Sequence, residues 1–219
     1  WWDPNNDRLV VARVDVADVN LWHISAPDDP AQPPQTVRYP AAGTSNADVR
    51  LWLVDVCDAS QIEVIWDRST HPYLVDVTWE DASPLTVTVQ SRDQRSMRVL
   101  EVEESSGDTN PVLDVDDPDW VEIVPGTPRR WNDGWLTIEE HGNTRSLLFN
   151  GAPLSGSDQW VRSLVDVTDS EILYTASIDP TTIDLWSVRD GRNECLTDGN
   201  GVVQAVGSQS VTVIERSSL

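Results

Sequence analysis

Short segments in which apolar and polar residues alternate run along most of the chain. Alternate side chains of a strand point to opposite faces, so this period of two predicts half-buried β-strands. Val, Ile, Thr, Trp and Tyr fill many of the positions, as strand surfaces prefer. The clearest segments are Leu9–Val14, Val49–Val54, Leu85–Val89, Met97–Val102, Trp135–Ile138, Ile172–Ala176 and Val211–Ile214.

Turn dipeptides separate these segments, and helical patterning is missing. Ser106-Gly107, Asp133-Gly134, Asp190-Gly191 and Asp198-Gly199 are typical of tight turns between strands. No stretch of about ten or more residues carries an apolar stripe of helical period. The sequence therefore predicts an all-β protein.

The predicted strands also repeat at long intervals. A Trp followed by acidic and turn residues occurs at Trp2, Trp79 and Trp131, with weaker copies near Asp169 and Ser208. The last three intervals are close to the length of one propeller blade, about 40–50 residues. The first interval exceeds that length by roughly thirty residues.

The surplus in the first interval lies at residues 24–48, which hold five of the 14 prolines and little strand pattern. We expect a Pro-rich arm there, inserted into a blade. The whole chain, residues 1–219, is then a β-propeller fragment, a partial arc of about four to five four-stranded antiparallel blades cut from a larger ring. The expected blades are 1–75 with the arm 24–48, 76–125, 126–165, 166–205 and a partial blade 206–219.

The charge of the chain narrows the classes of partner. The 219 residues carry 37 acidic and 15 basic side chains, all of the latter Arg, for a net charge of −22. Such a surface repels phosphate backbones and anionic lipid, so neither nucleic acid nor a membrane surface is an expected partner. Solubility, a salty habitat and attraction of a cationic substrate all remain open explanations of the acidity.

The Cys and His residues suggest neither a disulfide scaffold nor a metal site. Cys57 and Cys195 are far apart and outside any CxxC motif, so we expect free, buried thiols. His23, His71 and His141 lie outside metal-binding motifs. We expect no metal, no cofactor and no membrane-spanning segment. The compartment stays open, with the cytoplasm favoured, and Trp1 is expected to be a boundary within a longer polypeptide.

Two segments have a partial nucleophile motif. Ser45 in Gly43–Ala47 approaches G-x-S-x-G but lacks its last glycine, and Gly207–Val211 has Gln209 at the serine position and Val211 at the last. A nucleophile elbow needs a strand before the Ser and a helix after it. Both segments are followed by predicted strands, so we expect neither to hold a catalytic Ser.

Several acidic and aromatic groups have alternative interpretations. Glu103-Glu104 and Glu139-Glu140 could hold a substrate ammonium, but both pairs stand at predicted strand ends, where solvated carboxylates are the expectation. Asp114–Asp119 lacks the glycine and spacing of a calcium loop, so a solvated loop is expected. Most of the 11 Trp residues should pack in the core, and Trp22 is the best candidate for an exposed one.

Several motifs together resemble one family. Trp1–Pro4 is similar to a Trp-Trp-Ser-Pro blade entrance, and Ala12–Asp15 to the Arg-x-Asp strand after it. Val37–Val49 is similar to an Arg-Tyr-Pro-Lys-Ala-Gly run, and Val89–Met97 to an Arg-x-Gln strand, turn and strand. The resemblance extends to three further segments, Tyr73–Trp79, Glu104–Gly107 and Asp119–Glu122. These are motifs of the propeller of the dipeptidyl peptidase IV family of serine exopeptidases, and the likeness is specific to about residue 150.

The resemblance implies that catalysis belongs to a second domain and not to the propeller. Family members join an eight-bladed propeller to a C-terminal α/β-hydrolase domain, which removes N-terminal dipeptides after Pro or Ala with a Ser-His-Asp triad. The family's Glu-Glu pair for the substrate amine would precede Trp1, and the nucleophile would follow Leu219. Ile123–Pro125 depart from a Phe-Arg pair that lines the substrate pocket in mammalian members. This chain is therefore expected to contain no catalytic, cofactor-binding or metal-binding residue.

The expected function is the non-catalytic propeller part of a dipeptidyl peptidase IV-like enzyme. It would gate substrate access and help to form the chamber, with the hydrolase domain of the same polypeptide and peptides with a free N-terminus as partners. The arm 24–48 is a candidate homodimer contact, or else a cover for its own blade. A stand-alone interaction propeller and a pseudo-peptidase scaffold are the alternatives.

Overall fold

The computed structural model describes residues 1–80, 83–208 and 211–217. These residues form strands and connecting turns and no helix, which confirms the predicted all-β class. The strands are β1 Arg8–Asp15, β2 Leu21–Ile24, β3 Gln35–Arg38, β4 Asp48–Asp55, β5 Gln61–Val64, β6 Tyr73–Thr78, β7 Thr86–Gln90, β8 Ser96–Val102, β9 Thr109–Asp116, β10 Arg129–Trp131, β11 Gly134–His141, β12 Thr144–Phe149, β13 Ala152–Pro153, β14 Trp160–Val167, β15 Glu171–Ser177, β16 Asp184–Arg189, β17 Arg192–Cys195, β18 Val202–Ser208 and β19 Val211–Ser217.

The first compact unit, Trp1–Trp120, contains two larger sheets that share one core. Strands β1, β4 and β5 form one sheet, and β6 to β9 form a four-stranded antiparallel meander. The apolar residues of β1 and of β4 to β8 point inward, because period-two alternation puts them on one side, whereas β9 is mostly exposed and adds no residue to this core. The core residues are Val10, Leu51, Leu53, Val64, Trp66, Val77, Leu85, Val87, Val89, Leu100 and Val102.

The turn between β8 and β9 joins the two sheets of this unit. The Ile65 amide, just after β5, donates to the Gly107 carbonyl at 2.7 Å, and Thr109 Oγ1 donates to the Ile65 carbonyl at 2.7 Å. A Cβ on Gly107 would lie 2.0 Å from the Glu63 carbonyl oxygen. The backbone approach is therefore so close that only glycine fits.

The segment expected to be an arm contains a hairpin of its own. Strands β2 and β3 pair with each other, Trp22 opposite Val37, and form a separate two-stranded sheet. Residues 24–48 show little strand pattern in the sequence, yet Gln35–Arg38 forms a strand, and the inserted arm stays a prediction. Alternation of apolar and polar residues does not mark this hairpin, because nearly all its strand residues are exposed on both faces.

The second compact unit, Val121–Leu219, contains two groups of strands around a larger and a smaller core. Strands β10 to β13 and the antiparallel meander β14 to β17 meet through one parallel pair, Arg145 opposite Trp160. Strands β18 and β19 form a separate hairpin sheet. Fully buried Leu136, Leu147 and Tyr174 lie in the larger core.

Strand β14 contains two bulges that change its side-chain period. Its register against β15 shifts between Val161 and Ser163 and again between Leu164 and Asp166, so Arg162 is an extra residue without a partner opposite it. As a result Val161 and Leu164, three residues apart, both pack in the larger core. Arg162 itself is not part of that core.

Two sheets, β6–β9 and β14–β17, have the four antiparallel strands expected of a blade. Their bounds differ from the expected ones, because β6 begins at Tyr73 and β14 at Trp160. The division into blades stays a prediction.

Candidate functional site

The Ser45 region is a loop between β3 and β4. The amide and hydroxyl of Thr44 both donate to the Ala41 carbonyl, at 3.0 and 2.8 Å, and Gly43 has a φ of +80°. A turn therefore precedes Ser45 and strand β4 follows it, with neither the strand nor the helix of a nucleophile elbow. In the second motif, Ser208 ends strand β18, and Gln209 and Ser210 lie outside the described residues.

Glu104 is held by an arginine of its own unit. Its carboxylate pairs with Arg8, whose guanidinium also lies 5.4 Å from the centroid of the Trp79 ring. Asp3, almost fully buried, lies 3.9 Å from Arg8 Nε. Glu103, the chain neighbour of Glu104, accepts a hydrogen bond from the Ser105 hydroxyl at 2.8 Å. The first acidic pair therefore anchors the β8–β9 turn to β1.

Glu140, in the second acidic pair, contacts Arg145, whose side chain is 12% exposed. Arg145 Nη2 lies 2.7 Å from Glu140 Oε1 and 3.3 Å from Glu122 Oε2. The same guanidinium stacks 5.0 Å from the Trp160 ring centroid. Glu139 accepts the Thr137 hydroxyl at 2.7 Å. Both predicted acidic pairs thus have carboxylates engaged within the chain.

The Asp114–Asp119 segment is organised by turns and an ion pair. Asp114 pairs with Arg98 on the neighbouring strand. Asp117 Oδ1 accepts the amides of Asp119 and Trp120 at 2.8 and 2.9 Å, an Asx turn. In the described parts of the chain, no group of three or more His, Cys, Asp or Glu residues is arranged to hold a metal ion.

The two cysteines are free but exposed, so the expectation of buried thiols is wrong. Cys57 lies in the turn after β4, where its amide donates to Asp55 Oδ1 at 2.8 Å. Cys195 ends β17, the last strand of its sheet, and its thiol contacts the Thr197 carbonyl at 3.2 Å. A turn and a sheet edge offer no apolar pocket to either side chain.

His71 is the buried histidine of the first unit. It is 4% exposed, and its Nε2 lies 3.3 Å from Ser96 Oγ while its carbonyl accepts Trp66 Nε1 at 3.0 Å. Burial lowers the pKa of His71 below its ordinary value. These contacts fit a neutral, structural imidazole.

The hairpin of β2 and β3 presents an exposed apolar surface. Leu21, Trp22, Ile24 and Tyr39 are each at least half exposed. The Trp22 and Tyr39 rings meet edge to face with centroids 5.5 Å apart. A two-stranded hairpin is marginally stable alone, so apolar rings on such a sheet indicate a contact surface.

A cleft of about 330 Å³ lies in the second unit, between the β11–β12 turn, the start of β14 and the end of β15. Its floor is rigid. Gln159 is 2% exposed and its Oε1 accepts the Gly156 amide at 2.6 Å and the Tyr174 hydroxyl at 2.8 Å. Asn193 Nδ2 donates to the same oxygen at 3.2 Å. Burial raises the pKa of Tyr174, so its hydroxyl stays a donor.

The walls of this cleft carry separated opposite charges. Arg162 Nε donates to the buried Ser177 hydroxyl at 3.0 Å, and that hydroxyl donates to the Thr182 carbonyl at 2.6 Å. Asp158, exposed, lines the same cleft with Trp160. Sequence reasoning missed these residues, since they come from three separate segments, 143–144, 158–162 and 177–180, that meet only in the folded unit.

Residues 1–80, 83–208 and 211–217 include no helix long and apolar enough to cross a membrane.

Comparison with known proteins gives a consistent result. Residues 1–216 match the family model described as dipeptidyl peptidase IV (DPP IV) N-terminal region. Dipeptidyl peptidase 4 of Porphyromonas gingivalis superposes with a TM-score of 0.77 and 20% identity, covering 94% of this chain and 31% of that one. A putative dipeptidyl aminopeptidase IV from Bacteroides ovatus superposes with a TM-score of 0.73 and 16% identity, covering 94% of this chain and 34% of that one. The chain spans about a third of the length of these two solved structures.

The match over nearly the whole chain agrees with the motifs around Trp1, Arg38 and Gln90 and with the all-β sheets. The chain belongs to the dipeptidyl peptidase IV N-terminal region family.

Proposed function

We propose that this chain is the non-catalytic β-propeller part of a serine exopeptidase that removes N-terminal X-Pro or X-Ala dipeptides. The family match over residues 1–216 carries this proposal. The chemistry would belong to an α/β-hydrolase domain of the same polypeptide, as in the family. The chain itself would supply walls of the substrate chamber and restrict entry to short peptide termini.

The local geometry supports a role without catalysis. Ser45 lies in a loop that lacks the elements of a nucleophile elbow. Glu104 and Glu140 are paired with arginines and are therefore poorly placed to bind a substrate ammonium. We accordingly assign no catalytic, cofactor or metal residue to this chain.

Release of p-nitroaniline from Ala-Pro-p-nitroanilide tests the proposal. The longer natural polypeptide should hydrolyse the substrate, and the 219-residue chain at equal concentration should not. If a folded longer polypeptide released no p-nitroaniline, a pseudo-peptidase or an interaction propeller would be favoured instead. Activity in the 219-residue chain would contradict the assignment of catalysis to another domain.

The exposed β2–β3 hairpin supports a second part of the proposal, contact with another copy of the chain. Leu21 and Trp22 are 56% and 50% exposed, and a surface of this kind on a small hairpin gains stability when covered. A stable dimer interface buries more than about 1,000 Å² in total, so further residues would contribute.

Sedimentation velocity of the longer polypeptide tests this contact. Trp22→Glu should shift the dimer towards monomer. Trp120→Glu is the matched control, because Trp120 is 57% exposed and lies outside the hairpin. Equal sedimentation of the two variants as dimers would show that the hairpin only covers its own blade.

A further inference from the structure

The cleft beside β14 has an arginine without an acidic partner. Arg162 is half-buried and uses its Nε on Ser177, but it forms no ion pair with a carboxylate of the described residues. In the same unit Arg145, Arg189 and Arg216 each pair with at least one carboxylate. A half-buried guanidinium left unpaired in a chain of net charge −22 is therefore a distinctive feature.

The geometry of Arg162 suits capture of a carboxylate. The hydrogen bond from Nε to the buried Ser177 hydroxyl fixes the side chain and leaves its two terminal nitrogens unused. Paired terminal N–H groups match the two oxygens of one carboxylate, and the fixed side chain loses little entropy on binding. The bulge at Arg162 is the kind of irregularity that redirects a side chain towards a binding site.

An acidic group lines the same cleft without neutralising the arginine. Asp158 and Arg162 form no ion pair with each other, although both line the cleft. The Asp158 carboxylate leans over Gly156, where its Oδ1 would lie 2.9 Å from a Cβ. One cleft therefore holds a separated negative and positive charge, the complement of a zwitterion.

The remaining walls and the size of the cleft limit the ligand further. Trp160, Ile178 and Pro180 line it, and Ile178 is 56% exposed, so an apolar side chain of a ligand would find contacts. A volume of about 330 Å³ is at the lower end of ligand pockets. A phosphate is disfavoured, because its two charges would face Asp158 and the negative field of the chain.

We propose that this cleft binds a small zwitterion, an α-amino acid or a dipeptide, with its carboxylate on Arg162 and its ammonium on Asp158. The site goes beyond the proposed function, because its argument uses only the charges, contacts and shape of the second unit.

Isothermal titration calorimetry of the 219-residue chain with Ala-Leu tests the site. We expect saturable binding with a Kd of about 1 mM, the value typical of such a small ligand. Arg162→Gln should weaken binding about ten- to hundredfold, since a charge-assisted contact is lost. Arg192→Gln is the matched control, an exposed arginine of β17 outside the cleft, and should bind normally.

Ligand variants separate the two charge contacts without any effect on folding. The amide Ala-Leu-NH₂ should bind the wild type as weakly as Ala-Leu binds Arg162→Gln. The Arg162→Gln variant itself should bind the amide and the acid with equal affinity. N-acetyl-Ala-Leu, which lacks the ammonium, should bind the wild type as weakly as Ala-Leu binds Asp158→Asn. The Asp158→Asn variant should bind the two ligands with equal affinity. Leucine, tested alongside, shows whether an amino acid or a dipeptide is the better zwitterion, and either order supports the site.

Three results would overturn the inference. Absence of saturable heat up to about ten times the expected Kd would remove the site. Equal affinity for acid and amide would remove the role of Arg162. Equal loss in Arg162→Gln and Arg192→Gln would show a general charge effect.

Discussion

Replacing Gly107 by Ala should strongly destabilise the first unit. The added Cβ would lie 2.0 Å from the Glu63 carbonyl oxygen, where real Cβ contacts stay beyond 3.0 Å. The β8–β9 turn must therefore move away from β5 by about 1 Å or more. That movement breaks the bonds of Ile65 to Gly107 and of Thr109 to Ile65.

The cost has two parts that a control variant separates. Gly107 has a φ of +80°, where an L side chain costs about 1–2 kcal/mol. The two broken hydrogen bonds, one leaving an amide without a partner, add about 2–4 kcal/mol. Gly107→Ala should thus lower the free energy of unfolding by about 3–6 kcal/mol. Gly43 has the same φ of +80° with no atom within 4 Å of its Cβ position, so Gly43→Ala should lose only the first part.

Urea unfolding followed by tryptophan fluorescence measures both variants, and hydrogen exchange of the Ile65 amide reports the local opening. Exchange at Ile65 should accelerate in Gly107→Ala and stay unchanged in Gly43→Ala. The reasoning is refuted if the two variants differ by less than about 1 kcal/mol, a gap smaller than one lost hydrogen bond.

Three further predictions concern the buried polar groups and the thiols. Tyr174→Phe removes a buried donor with two side-chain acceptors and should cost about 1–2 kcal/mol in urea unfolding. The depressed pKa of His71 means that the unfolded chain binds a proton more readily, so stability should fall as the pH drops below the ordinary value of 6.5. His71→Asn should flatten this slope between pH 7.5 and the onset of carboxylate titration, about pH 5, whereas His23→Asn, at an exposed position, should retain it. Cys57 and Cys195 should both react with Ellman's reagent in the native chain, giving two equivalents.

Each of these predictions has a contradicting outcome. A stability of Tyr174→Phe equal to that of the wild type would mean that the hydroxyl network contributes nothing. An unchanged pH slope in His71→Asn would assign the acid sensitivity to other groups. Fewer than two thiol equivalents without denaturant would contradict the exposed positions.

The strands that pack against a core could be predicted well from the sequence. The expected segments Val49–Val54, Leu85–Val89 and Met97–Val102 lie within one residue of β4, β7 and β8. In each of these strands the apolar residues of the alternation face the core, including in β7, whose Thr and Gln face is buried as well.

Elements without that asymmetry could not be predicted. Strands β2 and β3 are exposed on both faces, so no period marks them. In β14 two bulges change the spacing of core residues from two to three, as between Val161 and Leu164. The cleft was missed because its lining comes from three segments, 143–144, 158–162 and 177–180, that meet only in the folded unit.

The position of the β2–β3 hairpin also affects the order in which the first unit can fold. Strands β1 and β4 pair across residues 16–47, a long closure, whereas β6 to β9 pair only with sequence neighbours. Closure entropy grows with loop length, by about 0.6 kcal/mol for each doubling. A hairpin that forms first would shorten the effective loop, so this separate two-stranded sheet would also speed the pairing of β1 with β4.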